Sequence, residues 1–508
     1  MSEPLPGFEG FEPEAPPPRD AATVLLWREA AARVEVFWTR RNGAVSFAPG
    51  FHAFPGGKLD AADRQVPVVG AEGDEAALRV AAARELFEEV GVLAARTGAP
   101  VDGGVLTGHR RALLDGQHSF PEVLAALSAT LHAEDLPFAG RWVTPPYLAS
   151  RFDARMFLVK LPAGADAEVW DGELVHGAWV APAEALLQWQ AGRALLHPPQ
   201  VHALRVMAAF RDVPSALARL RAPALVGPDF VSEDMEFQAG IRCTPLRTPT
   251  LPPATHTNCW LLGHGELLVV DPGPSDEAAL APLWRRLDAL RAVGCTVKAV
   301  VATHHHGDHV GGLRAVAERL GVPVWAHALT ADRLDVEVAR HLGDGEVLTL
   351  AGTPALRLRV LHTPGHARGH VCLLDESSGA AVVGDMVAGQ GTIVIDPPEG
   401  DMADYLAQLR RLRDLPVGAL CPAHGPVIPD GPGKLEAYLH HREQRAALVL
   451  EATPEAGASL PDITAAAYAD TPSFLHPVAE RSAEATLRML QAQGKVLQEG
   501  ERFRRVPC

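Results

Sequence analysis

Four histidines and an aspartate fall within six positions in the stretch Thr303-His304-His305-His306-Gly307-Asp308-His309. The stretch follows a mostly apolar, valine-rich run over residues 297–302, which reads as a short buried strand. Ligand sites in layered α/β folds collect where strands end. A chain leaving such a strand can turn His304, His306, Asp308 and His309 toward one point. Imidazole and carboxylate together suit zinc or another first-row metal. The competing reading is a solvated polar loop. Three distant motifs weigh against it: His362-Thr363-Pro364-Gly365-His366, Val383-Gly384-Asp385-Met386 and Cys421-Pro422-Ala423-His424-Gly425. Each sets a potential ligand beside a glycine turn, just after an apolar segment. With the first stretch they offer five imidazoles (His304, His306, His309, His366, His424) and two carboxylates (Asp308, Asp385).

A second group of chemical interest lies upstream. Residues 75–90 are rich in alanine, leucine and glutamate and read as a helix, ended by Gly91. Glu85, Glu88 and Glu89 are spaced by three and four and share one face of it. Like charges so placed repel unless a cation sits between them, and Mg²⁺ prefers carboxylate oxygen. The alternative is a solvated face with Arg84 as local partner.

The elements that must position these groups fall into successive regions. Residues 1–19 read as a flexible, acidic and proline-rich tail. A domain over 20–222 opens with strands at 22–27 and 34–40. It turns at Gly56-Gly57, carries the glutamate helix, and closes with helices near 183–190 and 199–211. Residues 223–239 read as a linker. A second domain over 240–430 alternates strands (257–262, 266–270, 297–302, 322–325, 356–361, 381–383) with helices (278–290, 313–320), which predicts layered sheets and helices. Residues 431–508 offer helices at 440–451, 461–469 and 479–493 and a hairpin over 494–506.

Composition narrows the classes. The chain has 508 residues, 47% of them hydrophobic, enough for several cores. A net charge of -16 argues against nucleic-acid binding through a broad basic surface and leaves a local basic groove open. Six scattered cysteines form no Cys-x-x-Cys pair and read as buried free thiols in a reducing compartment. The N-terminus lacks the basic start and apolar core of a signal peptide. No apolar run approaches the roughly 20 residues that span a bilayer. A soluble cytoplasmic protein is expected.

Gly57 with Arg84-Glu85-Leu86-Phe87-Glu88-Glu89-Val90-Gly91-Val92 resembles the Nudix box, G-x5-E-x7-R-E-U-x-E-E-x-G-U. The second half matches throughout. In the first half the acidic position falls on Asp63, and twenty residues, not seven, separate it from Arg84. That insertion, with Phe54-Pro55-Gly56-Gly57 and Trp142-Val143-Thr144-Pro145-Pro146, resembles the branch of coenzyme A diphosphatases. The resemblance implies that Glu85, Glu88 and Glu89 bind Mg²⁺ or Mn²⁺, that Glu88 and Glu89 serve a diphosphate hydrolysis, and that Arg84 orients them. A vestigial or regulatory nucleotide- or CoA-binding module is the alternative.

Residues 240–430 resemble the metallo-β-lactamase fold, whose central signature is H-x-H-x-D-H. The resemblance implies that His304, His306 and His366 bind one metal and that Asp308, His309 and His424 bind a second. Asp385 would bridge the two, and Asp271 would orient the cluster. Two Zn²⁺ ions (or Mn²⁺ or Fe²⁺) would then activate a bridging water as hydroxide, with Asp308 also placed to receive or orient a proton. His305 is expected to point away, and His362 and His370 to be structural or substrate-facing. An aspartate at the bridging position is similar to the glyoxalase II, lactonase and ribonuclease branches, and makes a β-lactamase role unexpected. The Gly425-Pro426-Val427-Ile428 phrase and the C-terminal region resemble the lactamase-beta-like protein 2 branch, which includes an endoribonuclease acting on single-stranded RNA. The whole is expected to be a multidomain α/β protein: a Nudix-like α/β/α sandwich, a metallo-β-lactamase αββα sandwich and a C-terminal winged helix. The expected substrate is single-stranded RNA or a small molecule, such as an acyl-CoA thioester or a lactone. The expected recognition helix carries both signs (Arg481, Glu484, Arg488), so sequence-specific DNA is not an expected partner, and neither is a membrane.

Overall fold

The computed structural model describes residues 16–31, 33–45, 48–144, 150–221, 235–251 and 254–507. The expected tail up to residue 15, residues 223–234 of the linker expected over 223–239, Pro145-Pro146 and Cys508 lie outside the described residues, and the end of that linker forms the strand Met235–Gln238. The chain divides into two compact units, one ending at Phe237 and the other beginning at Gln238. No helix among the described residues is long and apolar enough to cross a membrane.

The first unit is built on a mixed sheet. Its path runs His52–Ala53, Arg33–Arg41, Arg19–Ala30, Phe152–Lys160, Phe138–Val143, with Gly56–Lys58 and Leu174–Val180 as side branches. The strand Arg19–Ala30 pairs in parallel with Phe152–Lys160 from Arg19↔Phe152 to Trp27↔Lys160. The helix Gly73–Val90 lays Leu86, Phe87 and Val90 into one core with Val24, Leu26 and Phe157. Gly91 ends it at φ 74°, its N–H donating to the Phe87 carbonyl, a left-handed stop that favours glycine. The twenty residues that stand where the motif has seven leave its first half in place. They form the strand Val68–Val69, paired with Leu131–His132, and extend the helix back to Gly73. Asp63, on the short turn Ala61–Gln65, still reaches Arg84 through two hydrogen bonds of 2.9 and 3.1 Å.

The second unit holds two mixed sheets. One contains Ile241–Arg247, His256–Leu262, Glu266–Val270, Thr296–Val301, Val324–Ala326 and Val338–His341 in that order, parallel from Glu266–Val270 onward. The other is ordered Val347–Leu350, Leu356–His362, Val371–Asp375, Ala381–Gly384, Leu420–Pro422. Helices Ala281–Ala292 and Leu313–Leu320 cover the first sheet. Helices Met402–Asp414 and Gly431–Glu451 cover the second. Backbone hydrogen bonds from Val371 N–H to the Thr303 carbonyl (2.9 Å) and from Asn258 N–H to the Ala423 carbonyl (2.7 Å) tie the sheets together at the ends where the histidine motifs lie.

The helix expected over 440–451 begins earlier, at Gly431. Asp430 caps it by accepting from the Gly433 amide, and a proline occupies its first turn. That Asp-Gly-Pro-Gly signal is readable, but its glycines mask it. Helices Leu460–Ala467 and His476–Ala492 with the hairpin Val496–Glu499/Arg502–Arg505 complete a winged-helix arrangement, Ala458–Ser459 pairing with the hairpin as a third strand. Cys243, Cys259, Cys295, Cys372 and Cys421 are free and buried.

Two buried imidazoles make the first unit acid-sensitive. His52 has a buried Nδ1 without a hydrogen-bond partner, and His197 stacks on Phe51 at 4.3 Å. Burial, helped by nearby arginines, pushes each down to about 4 from an ordinary value of 6.5. Their contribution to stability is therefore complete above pH 6.5 and is lost as pH falls toward 4, because the unfolded chain takes up the protons first. After correction for the intrinsic pH dependence of exchange, amide protection across this sheet is expected to fall over that window, and less so in His197→Phe; equal protection factors at pH 7 and pH 4.5 would contradict this.

Candidate metal centre

Two adjacent parallel strands deliver the first residues. Glu266–Val270 runs into Asp271, and Thr296–Val301 runs into Ala302 and Thr303. Asp271 adopts φ 52°, a left-handed conformation that a short polar residue tolerates better than most. Its carboxylate accepts from the Thr303 amide (2.7 Å), the Thr303 hydroxyl (2.6 Å) and His309 Nδ1–H (2.8 Å). Thr303 Oγ1 in turn accepts from His304 Nδ1–H at 3.0 Å. This network fixes both tautomers and leaves the Nε2 atoms of His304 and His309 as acceptors. Gly273 permits the close approach this needs, because a Cβ there would lie 2.0 Å from the Asp308 carbonyl oxygen.

Three acceptor nitrogens meet at one point. His306 Nδ1 lies 3.1 Å from His304 Nε2 and 2.9 Å from His366 Nε2. The far nitrogen of His366 is occupied, Nδ1–H donating to the Val394 carbonyl at 2.9 Å. A second group gathers beside it. His424 Nε2 lies 3.4 Å from Asp308 Oδ2, and His309 Nε2 lies 3.9 Å from Asp308 Oδ1. His424 Nδ1–H donates to the His256 carbonyl at 3.0 Å, so its Nε2 also faces inward as an acceptor. Asp385 stands between the groups. Its Oδ2 is 3.5 Å from His366 Nε2, and its Oδ1 is 3.6 Å from His309 Nε2 and 3.5 Å from His424 Nε2.

The donor set fits divalent cations. His309 Nε2 and Asp385 Oδ1 are buried without a hydrogen-bond partner, a costly state that a cation between them would relieve. The ligand atoms of His304, His306 and His366, and those of Asp308, His309 and His424, each fit within 4.8 Å of one another. Asp271, His304 and His309 also satisfy that spacing, but both Asp271 oxygens are committed to Thr303 and His309 Nδ1, so this trio is a support and not a pocket. Electrostatics separate the two groups. Burial, then the neighbouring imidazoles, keep His304 and His306 neutral, His306 at about 3. For His309 burial acts downward, but Asp385, Asp308 and Asp271 outweigh it and hold the ring well above its ordinary value. Burial acts upward on Asp308, and His309 and His424 overcome it, keeping that carboxylate ionised. A cation beside His309 Nε2 would take over the balancing of these carboxylates.

The remaining histidines take other parts. His305 belongs to neither trio. His362 stacks on His327 at 4.0 Å, its Nε2–H donating to the Arg368 carbonyl at 2.8 Å. His370 supports Asp385: its Nε2 accepts from the Asp385 amide at 3.1 Å, and its Nδ1–H donates to Thr363 Oγ1 at 2.8 Å. Sequence reasoning missed Thr303, Thr363 and the carbonyls of His256 and Val394, which orient ligands; only the recurrence of threonine beside the histidine motifs hinted at the first two.

In the first unit Glu85, Glu88 and Glu89 share a face as expected, beside Gly57, where a Cβ would come within 2.3 Å of Glu85 Oε1. Arg84 Nη1 donates to Glu85 at 2.8 Å and to Glu88 at 3.1 Å, while Glu89 accepts from the Gly56 amide at 2.8 Å. Burial raises Glu85 to about 7 and pushes Glu89 well above the usual carboxylate range. Among the described residues these carboxylates do not form a trio as tight as those of the second unit.

Asp271→Asn should weaken metal binding by about 10–100-fold while the fold persists, because it loses the acceptor that sets the His309 tautomer. Competition with a chromophoric chelator checks this; unchanged affinity would show that His309 needs no such partner.

Family comparison agrees with this geometry. The metallo-beta-lactamase superfamily matches residues 252–424, the NUDT19 Nudix domain matches 65–207, and the beta-lactamase associated winged helix domain matches 459–505. A beta-lactamase-like protein 2 homolog of Drosophila melanogaster is 29% identical over 254 residues, covering 47% of this chain and 84% of its own. The lactamase-like protein vrtG of Penicillium aethiopicum is 33% identical over 230 residues, covering 42% of this chain and 69% of its own. A crystal structure of a metallo-beta-lactamase family protein from Thermus thermophilus aligns with 25% identity and a TM-score of 0.45, covering 53% of this chain and 99% of its own. The chain belongs to the metallo-beta-lactamase superfamily of metal-dependent hydrolases, with a Nudix domain ahead of that fold and an associated winged helix domain behind it.

Proposed function

We propose that this hydrolase is binuclear. His304, His306 and His366 would hold one cation, Asp308, His309 and His424 the other, and Asp385 would serve both. The observation that carries this reading is Asp385 itself, which turns one oxygen toward each group, with Oδ1 left without a hydrogen-bond partner. Mixed imidazole and carboxylate ligands favour Zn²⁺, with Mn²⁺ or Fe²⁺ as alternatives. When bound, such a pair supplies an activated water and stabilises developing negative charge. The chain's own residues do the rest. Asp271 and Thr303 hold two imidazoles in the required tautomer. His370 holds the Asp385 backbone. Asp308 stays ionised and is placed to orient a proton. No serine or cysteine nucleophile is required by this scheme.

Similarity to the lactamase-beta-like protein 2 branch favours single-stranded RNA as substrate. Metal-loaded wild-type protein is expected to cleave labelled single-stranded RNA, and Asp308→Ala to lose most of that activity. Equal cleavage by both would mean a contaminating nuclease and would overturn the RNA assignment. The Nudix match and the net charge of -16 favour a second reading, hydrolysis of a small acyl-CoA thioester or lactone at the same centre. Turnover of an acyl-CoA panel with RNA left intact would establish it.

The buried Asp63–Arg84 pair supports a working Nudix box with Mg²⁺ or Mn²⁺ on Glu85, Glu88 and Glu89. Glu88→Gln is expected to abolish hydrolysis of a nucleoside diphosphate derivative in excess Mg²⁺. Binding without hydrolysis by the wild type would instead make this domain a regulatory module.

A further inference from the structure

From Asp385 to Asp396 the chain forms no helix or strand, yet it touches three of the seven candidate ligands. It begins with Asp385. The Gly389 amide donates to the His424 carbonyl at 2.8 Å. The Val394 carbonyl accepts from His366 Nδ1–H at 2.9 Å. Irregular backbone has no ladder of its own, so its polar groups must be satisfied from outside.

Helices beyond the sandwich meet that need. The Tyr438 hydroxyl accepts from the Ala388 amide at 3.0 Å and donates to the Gly391 carbonyl at 2.9 Å. Arg442 Nη2 donates to Thr392 Oγ1 at 2.7 Å and to the Ile393 carbonyl. Ser482 Oγ accepts from the Ile395 amide at 3.2 Å, and Arg481 pairs with Asp396 at 2.8 Å. Tyr438 and Arg442 stand on Gly431–Glu451, and Arg481 and Ser482 on His476–Ala492. Arg442 is only 5% exposed. A guanidinium so buried is costly unless hydrogen-bonded; its Nε has no hydrogen-bond partner, and both bonds from its Nη2 go to this segment.

We propose that Tyr438, Arg442 and Ser482 are positioning residues for the metal centre. They clamp residues 386–396 and thereby set His366, His424 and Asp385. The C-terminal helices are then a brace for the hydrolytic site, a role that suits the mixed charge of the helix carrying Arg481, Glu484 and Arg488. This inference rests on the two-metal reading above.

The test uses the full chain, stripped of metal and titrated with Co²⁺, following both the visible ligand-field bands and competition with a chromophoric chelator. Wild type is expected to bind two equivalents at the imidazole centre, apart from any held by the Nudix carboxylates. Tyr438→Phe and Arg442→Met are expected to bind about 10–100-fold more weakly, with shifted bands and an unchanged far-ultraviolet circular dichroism spectrum. Arg488→Met, which alters an exposed ion pair with Glu484 on the same helix, should match wild type. If Tyr438→Phe and Arg442→Met lower the melting temperature but keep wild-type affinity and bands, these residues only pack and the proposal is wrong. Should Arg442→Met fail to fold, Tyr438→Phe decides, since it removes a single oxygen. A wild-type chain that binds no Co²⁺ overturns the two-metal reading, and the brace with it.

Discussion

The second unit depends on one electrostatic constraint. Acceptor nitrogens from five imidazoles converge with the carboxylates of Asp308 and Asp385 in space largely closed to water. Such a set brings lone pairs and negative charge together, and a cation bound among them would offset both. Asp271, Thr303 and the carbonyls of His256 and Val394 occupy the outward-facing atoms of candidate ligands and leave the inward-facing ones open, while His370, itself held by Thr363, fixes the Asp385 backbone. Both sheets contribute, which is why the interstrand ties at Thr303 and Ala423 lie beside the ligands they position.

The first unit solves a different problem. Two of the three glutamates on one helix, Glu85 and Glu88, are held by Arg84, whose guanidinium is anchored in turn by the buried carboxylate of Asp63. The anchor survives a long insertion because the extra residues become regular structure, a short strand pair and additional helical turns, and not a loose loop. Arginine suits this position because its fork contacts several carboxylates at once and stays charged when buried. Arg84 does not reach Glu89, which among the described residues accepts from the Gly56 amide and is driven toward its neutral form by burial.

Much of this was legible in the sequence because the ligands sit at the ends of apolar strands, where pattern and residue type coincide. Each of His304, His306, Asp308, His309, His366, Asp385 and His424 carried such a local signal. The glutamate helix was legible for the same reason, its spacing alone placing three carboxylates together. What lay hidden were interactions between segments distant in the chain that leave no local pattern. His370 supporting Asp385, the His256 carbonyl supporting His424, and Arg442 holding Thr392 and Ile393 depend on tertiary placement. The early start of the helix at Gly431 was obscured because its glycines read as turn residues until the Asp430 cap gives them a helical context.

Anomalous diffraction at the absorption edge of the bound metal would locate the cations themselves. Two peaks are expected on opposite sides of the Asp385 carboxylate. One would lie within coordination distance of His304 Nε2, His306 Nδ1 and His366 Nε2, the other within reach of Asp308, His309 Nε2 and His424 Nε2. A protein crystallised with excess metal that shows no peak there, or a single peak on the Asp271 side between His304 and His309, would contradict the two-metal reading.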